Sequence, residues 1–262
     1  YDSLSNWIDI DNHIDYNIAQ IFIDNRDWPG NNIKYWRPQA QGGLWRWILY
    51  DTDFGFGIPW NGVGYDYNTL EFANEENGPL EWPNPPWSTF LLRKMIESPK
   101  YRERFINIFS DRFNTVFKPE HLVARLDSLG SYIQDIIPMH QARWPNSAED
   151  WGSNMQTIDN FADNRYFYMR QHLNEFFNLS SPVYLLFNVL PEAGGQIQIN
   201  TVTPNDYPWA GNYYPSIPID VRAIPEVGYV FSGWAQFPDS SKTMKIQVYD
   251  GLNLTATFEP FL

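Results

Sequence analysis

A chain of 262 residues with a net charge of −13 and no cysteine excludes disulfides, cysteine nucleophiles and thiolate zinc sites. Its acidity argues against nucleic acid and anionic membrane as partners, since both select basic patches. Four scattered histidines do not suit a His-rich metal centre, and no apolar run reaches membrane-spanning length.

Aromatic residues are abundant, with 12 Trp, 16 Tyr and 18 Phe. They can build a core from few aliphatics or line a binding surface. The chain opens at Tyr1 without Met or a signal segment and reads as a mature fragment.

Residues 7–22 read as a helix. Ile10, Ile14, Ile18 and Ile21 share one face, and Asp9 or Asp11 can cap its start. The Asp9, Asp11, His13 and Asp15 cluster reads as caps plus a solvated face, because a calcium loop needs Gly where Ile14 stands. Residues 32–37 and 44–50 read as a hairpin with Gly42 and Gly43 in its turn. Trp45, Trp47 and Leu49 alternate onto one face, and continued extended geometry carries Asp51 and Asp53 onto it. Two carboxylates at the mouth of one strand suit a shared cation.

Residues 58–86 form a loop longer than a plain connection. Its Trp60, Tyr65, Tyr67 and Trp82, with Trp87, either wall a cleft or anchor the loop to the core. Helices are predicted over 87–97, 99–117 and 120–137, with Pro138 ending or kinking the last. A final helix over 155–178 should hold Phe161, Phe167 and Leu173 inside. From residue 180 the texture changes to short β-rich runs punctuated by proline: 183–190, 196–202, 217–223, 229–234, 244–248 and 252–258. Trp234 reads as a core residue.

Arg26-Asp27, four residues and then Asn32 reproduce the spacing of a protein-kinase catalytic loop, in which the Asp receives a hydroxyl proton and the Asn binds metal. Asp53-Phe54-Gly55 follows, in the order kinases use. Residues 16–37 (YNIAQIFIDNRDWPGNNIKYWR) and 45–57 (WRWILYDTDFGFG) resemble the spore-coat protein H (CotH) kinase family, and Arg165 to Arg170 on the last helix fit it too. The resemblance covers residues 7–178. It implies an atypical protein-kinase-like fold that transfers phosphate from ATP, with Mg²⁺ or Mn²⁺, to Ser of a cell- or spore-surface protein.

By that resemblance Asp27 is the catalytic base, Asn32 and Asp51 bind the nucleotide's metal, and Asp53 is a further metal ligand ranked below Asp51. The sequence departs from the pattern at Asn25, where kinases carry His, and in lacking Lys two residues after Asp27. No phosphate-covering small lobe is recognisable ahead of the loop, so the chain is expected to be an incomplete and inactive fragment. The tail, through residues 228–234 and 254–258, resembles internalin-type β-repeats of bacterial surface proteins.

The expected fold class is α+β: a mainly helical kinase-like C-lobe with a β-hairpin carrying the acidic site over residues 1–179, then a small all-β domain over 180–262. The expected location is extracellular or at a bacterial cell surface. The alternative function is a non-catalytic surface module that binds glycan or protein.

Overall fold

The computed structural model describes residues 1–262 except 59–63, 79–80, 146–150, 239–240 and 262. Trp60 therefore lies outside the described residues. The chain mixes helix and sheet, as an α+β fold requires, and divides into two compact units. The first comprises residues 1–102 and 115–176, and the second residues 103–114 and 177–262.

In the first unit, helix α1 (Ile10–Phe22) begins where the Asp9 carboxylate accepts from the Asn12 amide at 3.1 Å. Its isoleucine stripe is buried as expected. Asp11 and Asp15 keep partial exposure, but the face read as solvated is narrow. His13, Tyr16, Asn17 and Gln20 are buried as well, so α1 is enclosed nearly all round. His13 is satisfied internally, its Nδ1 lying 2.8 Å from the Tyr101 hydroxyl.

Strands β1 (Lys34–Trp36) and β2 (Arg46–Ile48) pair antiparallel with Tyr35 opposite Trp47, and Gly42 turns between them at φ 77°. The extended geometry does not continue to Asp51. The strand ends at Ile48 and Asp51 adopts φ 54°. The long loop contains a short helix α2 (Thr69–Phe72), capped by the Asn68 side chain.

Helices α3 (Phe90–Ile96), α4 (Pro99–Asn114), α5 (Pro119–Ile133), α6 (Ile137–Arg143) and α7 (Trp151–Phe177) follow. Pro138 lies in the first turn of α6, which a 3₁₀ turn at Gln134–Ile136 joins to α5. The apolar positions of α5 do not form core: no residue of that helix is buried, and Tyr132 is 81% exposed. On α7 the buried stripe is Phe161, Arg165, Met169, His172 and Leu173, and Phe167 points outward at 63% exposure. The spacing explains this, because the buried residues repeat at three, four and eight positions along one face, and 167 falls off it.

The second unit has two sheets around one core. One sheet has the order β5-β3-β9-β7 and the other β4-β6-β8, from β3 (Val183–Leu190), β4 (Gly195–Ile199), β5 (Trp209–Tyr213), β6 (Ile219–Pro225), β7 (Tyr229–Trp234), β8 (Thr243–Ile246) and β9 (Asn253–Pro260). β3 and β9 run parallel, and the other pairings are antiparallel. Leu185, Phe187, Ile197, Tyr213, Val221 and Leu254 are among its fully buried members. Trp234 is a core residue as expected, its ring nitrogen donating to Ser241 O at 2.9 Å.

The helical segment 103–114 belongs to this unit through a buried clasp. The Asp111 carboxylate accepts from Thr201 N (2.8 Å), Thr201 Oγ1 (2.6 Å), Tyr213 OH (2.9 Å) and Asn200 Nδ2 (3.2 Å). Asn114 exchanges two hydrogen bonds with the Asn212 backbone. A boundary drawn at residues 179–182 leaves this segment out.

Burial pushes the Asp111 carboxyl from 3.8 up to about 6, against the pull of its donors. The folded state then holds a proton that the unfolded chain releases. This group's contribution to stability is therefore greatest below pH 4 and declines as pH rises through 6. Asp111→Ala, which strands four donors, should cost the unit about 2–4 kcal/mol. Denaturant unfolding at pH 4.5 and 7.5 tests the titration: the stability gap between wild type and Asp111→Asn should be larger at pH 4.5. An unchanged gap would remove Asp111 as the source.

Candidate functional site

The loop that leaves α1 is built from side chains that satisfy its own backbone. Ile23 closes the helix and Asp24 turns the chain at φ 54°. Asn25, fully buried, connects three elements. Its amide donates to Gln20 Oε1 at 2.9 Å and to the Asp51 carbonyl at 3.4 Å, and its Oδ1 accepts from the Asp27 amide at 3.2 Å. The residue that stands in place of the kinase His thus holds Asp27 and the backbone of Asp51 to one another.

Two further bonds zip residues 23–26 to 54–56: Arg26 N to Phe54 O at 3.1 Å and Phe56 N to Ile23 O at 2.8 Å. Gly55 permits this approach, since a Cβ there would lie 2.9 Å from Ile23 O.

The predicted site residues are placed as follows. Asp27 Oδ2 accepts from Asn32 Nδ2 at 2.7 Å and from Asn31 Nδ2 at 2.9 Å. Asn32, at φ 53°, therefore has its nitrogen on Asp27, and its amide oxygen is the atom it can offer to a cation. Asp51 and Asp53 are exposed. The Asp51 carboxyl is raised above the usual carboxylate range by partial desolvation, by its hydrogen bond with Asp53, and by the charges of Asp53 and Asp27, with Lys34 opposing. Asp51 is thus close enough to both Asp53 and Asp27 for their charges to oppose its ionisation. Among the described residues no group of three or more His, Cys, Asp or Glu is arranged to hold a metal ion. The site offers a carboxylate pair and an amide oxygen, not a closed cage.

Beside Asp27 lies a cavity of about 540 Å³, between α1, residues 28–33, the hairpin and residues 87–92. His13, Tyr16, Asn17, Trp28 and Leu92 are its buried members, and Tyr35 and Trp87 are exposed at 59% and 62%. Of the loop aromatics, Trp87 lines this cavity and Trp82 packs against Gly30. Tyr65 packs on Tyr168, and the Arg26 guanidinium lies 3.5 Å from the Tyr67 ring centre, so these two anchor the loop. Burial lowers His13 to about 4, so at neutral pH the ring is uncharged.

Arg165, the residue that sequence reasoning valued only as part of a weak helical pattern, underlies this loop. At 0% exposure it donates to Ile21 O (2.8 Å), Phe22 O (2.7 Å), Gly64 O (3.1 Å), Tyr65 O (2.9 Å), Tyr67 O (2.7 Å) and Thr69 Oγ1 (2.9 Å). Thr69 in turn donates to Asp24 Oδ1 at 2.5 Å, which also takes Arg26 Nε at 2.7 Å. A polar residue recurring in register with Phe161 and Met169 on the apolar stripe was the signal for it.

Arg165→Met would leave these acceptors unpaired, and it should cost about 3–5 kcal/mol. Phe167→Ala, two positions away and exposed, should change stability by less than about 0.5 kcal/mol. Thermal melts of both variants decide whether the buried guanidinium carries this weight.

Nothing among curated proteins and nothing among solved structures matches the chain. The family described as CotH kinase protein does match, over residues 1–169. That stretch includes every residue of the acidic site and ends before the strands of residues 183–260, so the likeness of the tail to internalin-type repeats gains no support from it. Matched over residues 1–169 of its 262, the chain belongs to the CotH kinase protein family.

Proposed function

We propose that this chain carries the catalytic carboxylates of an ATP-dependent protein phosphotransferase that acts on a hydroxyl, Ser by family resemblance, of a surface protein outside the bacterial cell. One observation supports it above the rest. Asn25 links the Asp27 amide to the Asp51 carbonyl, so two motifs distant in sequence converge on one spot. Phosphoryl transfer needs that convergence, because catalysis rests on positioning and charge more than on covalent chemistry.

In this reading Asp27 accepts the proton of the attacking hydroxyl. Asn31 and Asn32 bind only its Oδ2, fixing the carboxylate and leaving Oδ1 for the acceptor. Asp51 and Asp53 suit Mg²⁺ or Mn²⁺, with the Asn32 oxygen as a third donor. A carboxylate pair whose proton affinity is raised by mutual repulsion is one that a hard, oxygen-seeking cation can relieve. When bound, that cation would neutralise charge on the transferring phosphate. The exposed aromatics Tyr35, Trp36 and Trp87 favour the second reading, a surface module that binds protein or glycan, with the β-rich tail as spacer or adhesive part.

Transfer of radiolabel from ATP to an acceptor protein separates the readings. In the full-length protein Asp27→Asn and Asp51→Asn should each lower turnover by about a thousandfold, a cost of about 4 kcal/mol in the barrier, and Asp53→Asn by less. The raised carboxyl of Asp51 means that its charge opposes folding as pH rises through its titration. Asp51→Asn should accordingly leave the metal-free melting temperature unchanged or higher, and it should abolish any stabilisation by Mg²⁺. Full turnover in either the Asp27 or the Asp51 variant refutes the assigned roles.

A further inference from the structure

The cavity beside Asp27 has a lining unlike the rest of the molecule. In a chain of net charge −13, none of its described lining residues is Asp, Glu, Lys or Arg. Its histidine is neutral at physiological pH. The polar groups that line it are largely turned to internal partners. Asn17 Nδ2 donates to His13 O at 2.7 Å, Asn31 and Asn32 donate to Asp27, and Ser88 Oγ donates to Pro85 O at 2.7 Å. His13 Nδ1 is held by the Tyr101 hydroxyl. These bonds take up donors, so the lining offers an occupant chiefly stacking, apolar contact and amide oxygens.

The rings are arranged for that. Tyr35 and Trp47 sit opposite each other across the hairpin with centroids 6.0 Å apart, and Trp47 meets His13 edge-on at 4.7 Å. The buried Trp28 and Leu92 give the cavity an apolar wall beside the buried His13, Tyr16 and Asn17, and the exposed Tyr35 and Trp87 give it aromatic lips. Because Asn31 and Asn32 both line the cavity and hold the Asp27 carboxylate, an occupant sits within one side chain of that carboxylate.

From this we propose that the cavity is the acceptor-recognition pocket, taking an uncharged aromatic side chain of the protein segment that presents its hydroxyl to Asp27. The inference rests on the reading of Asp27 as the base. A nucleotide's phosphates find no cation in the lining. A sugar, which needs donors and acceptors as well as a stacking face, finds the amide nitrogens and the Ser88 hydroxyl already engaged. An aromatic residue needs neither, and buried aromatic anchors dominate peptide recognition.

The test uses fluorescein-labelled seven-residue peptides with a central Ser and either Phe or Ala at each flanking position in turn, titrated by anisotropy into the full chain at physiological salt. At one or more positions the Phe peptide should bind at least tenfold more tightly than its Ala counterpart. Tyr35→Ala and Trp87→Ala, both exposed enough to leave the fold intact, should cut that preference below threefold. Trp36→Ala, on a neighbouring residue that does not line the cavity, should preserve it.

Asp27→Asn should also preserve it, which keeps the pocket's test independent of turnover. A lasting Phe preference together with full transfer by Asp27→Asn would sink Asp27 as the base, and with it the acceptor role, and leave the cavity as an aromatic-binding pocket. Equal binding of Phe and Ala peptides in a chain that transfers phosphate would sink the pocket alone. Displacement of the Phe peptide by adenosine or by a chitin oligosaccharide, itself lost in Trp87→Ala, would reassign the cavity to a nucleotide base or a glycan and overturn the proposal.

Discussion

The first unit depends on one buried cation. Arg165 has no contact with water, and a guanidinium in that state is tolerated only when its donors are matched. Five of its six partners are backbone carbonyls or hydroxyls from residues 22–69, and the sixth is the carbonyl of Ile21. Those of Ile21 and Phe22 are at the C-terminal end of α1, where the helix dipole is negative. The same cation, through Thr69, orients Asp24, and Asp24 is the turn from which Asn25 and Asp27 are launched. A planar five-donor group is what this arrangement uses. A lysine ammonium has three donors from one point and cannot address two segments on opposite sides.

Much of the fold was legible where local pattern and burial agree. The isoleucine stripe of α1, the Gly42–Gly43 turn and the strands 183–190 and 229–234 follow from spacing alone. Pattern failed where tertiary context decides. The apolar spacing of α5 looks like that of a core helix, yet the structure leaves that helix without a buried residue. Phe167 was placed inside because it is large and apolar, when the stripe through Arg165 excludes it. Strand β5 falls between the runs read at 196–202 and 217–223, because Gly211 and Asn212 are poor strand formers. The glycine is there because a Cβ would strike the rings of Trp209 and Tyr213, each at 2.9 Å.

At the candidate site the asymmetry is similar. Asp27, Asn32, Asp51 and Asp53 stood out because their spacing is a chemical pattern that sequence carries intact. What holds them together did not stand out. Asn25 appeared as a departure from the kinase pattern, and its buried position between Gln20, Asp27 and Asp51 depends on two segments meeting. Arg165 acts across 96 to 144 residues, and no local window contains both ends of such an interaction. Hydrogen-bond partners of buried polar groups are set by topology, which periodicity does not encode.

The backbone around the carboxylates adds a second constraint. Among described residues other than glycine, positive φ occurs at Asp24, Asn32, Asp51 and Phe56 near the site, and elsewhere at Asn178 and Asn200. Asp and Asn tolerate the left-handed region because their short polar side chains bond locally, but Phe has no such compensation. Phe56 is held there by its amide bond to Ile23 O, and Asp51 lies within the same stretch of loop, braced by Asn25. Conformational strain and like-charge repulsion therefore fall on the same few residues. The strain is balanced by hydrogen bonds from outside the loop, and the repulsion at Asp51 and Asp53 is balanced only in part, by Lys34. A fold that uses buried asparagine and arginine to force carboxylates together has no structural gain from doing so. In the proposed function a cation bound at those oxygens would offset the repulsion, and the like-charge cost at Asp51 and Asp53 is the kind of imbalance that clusters at functional sites.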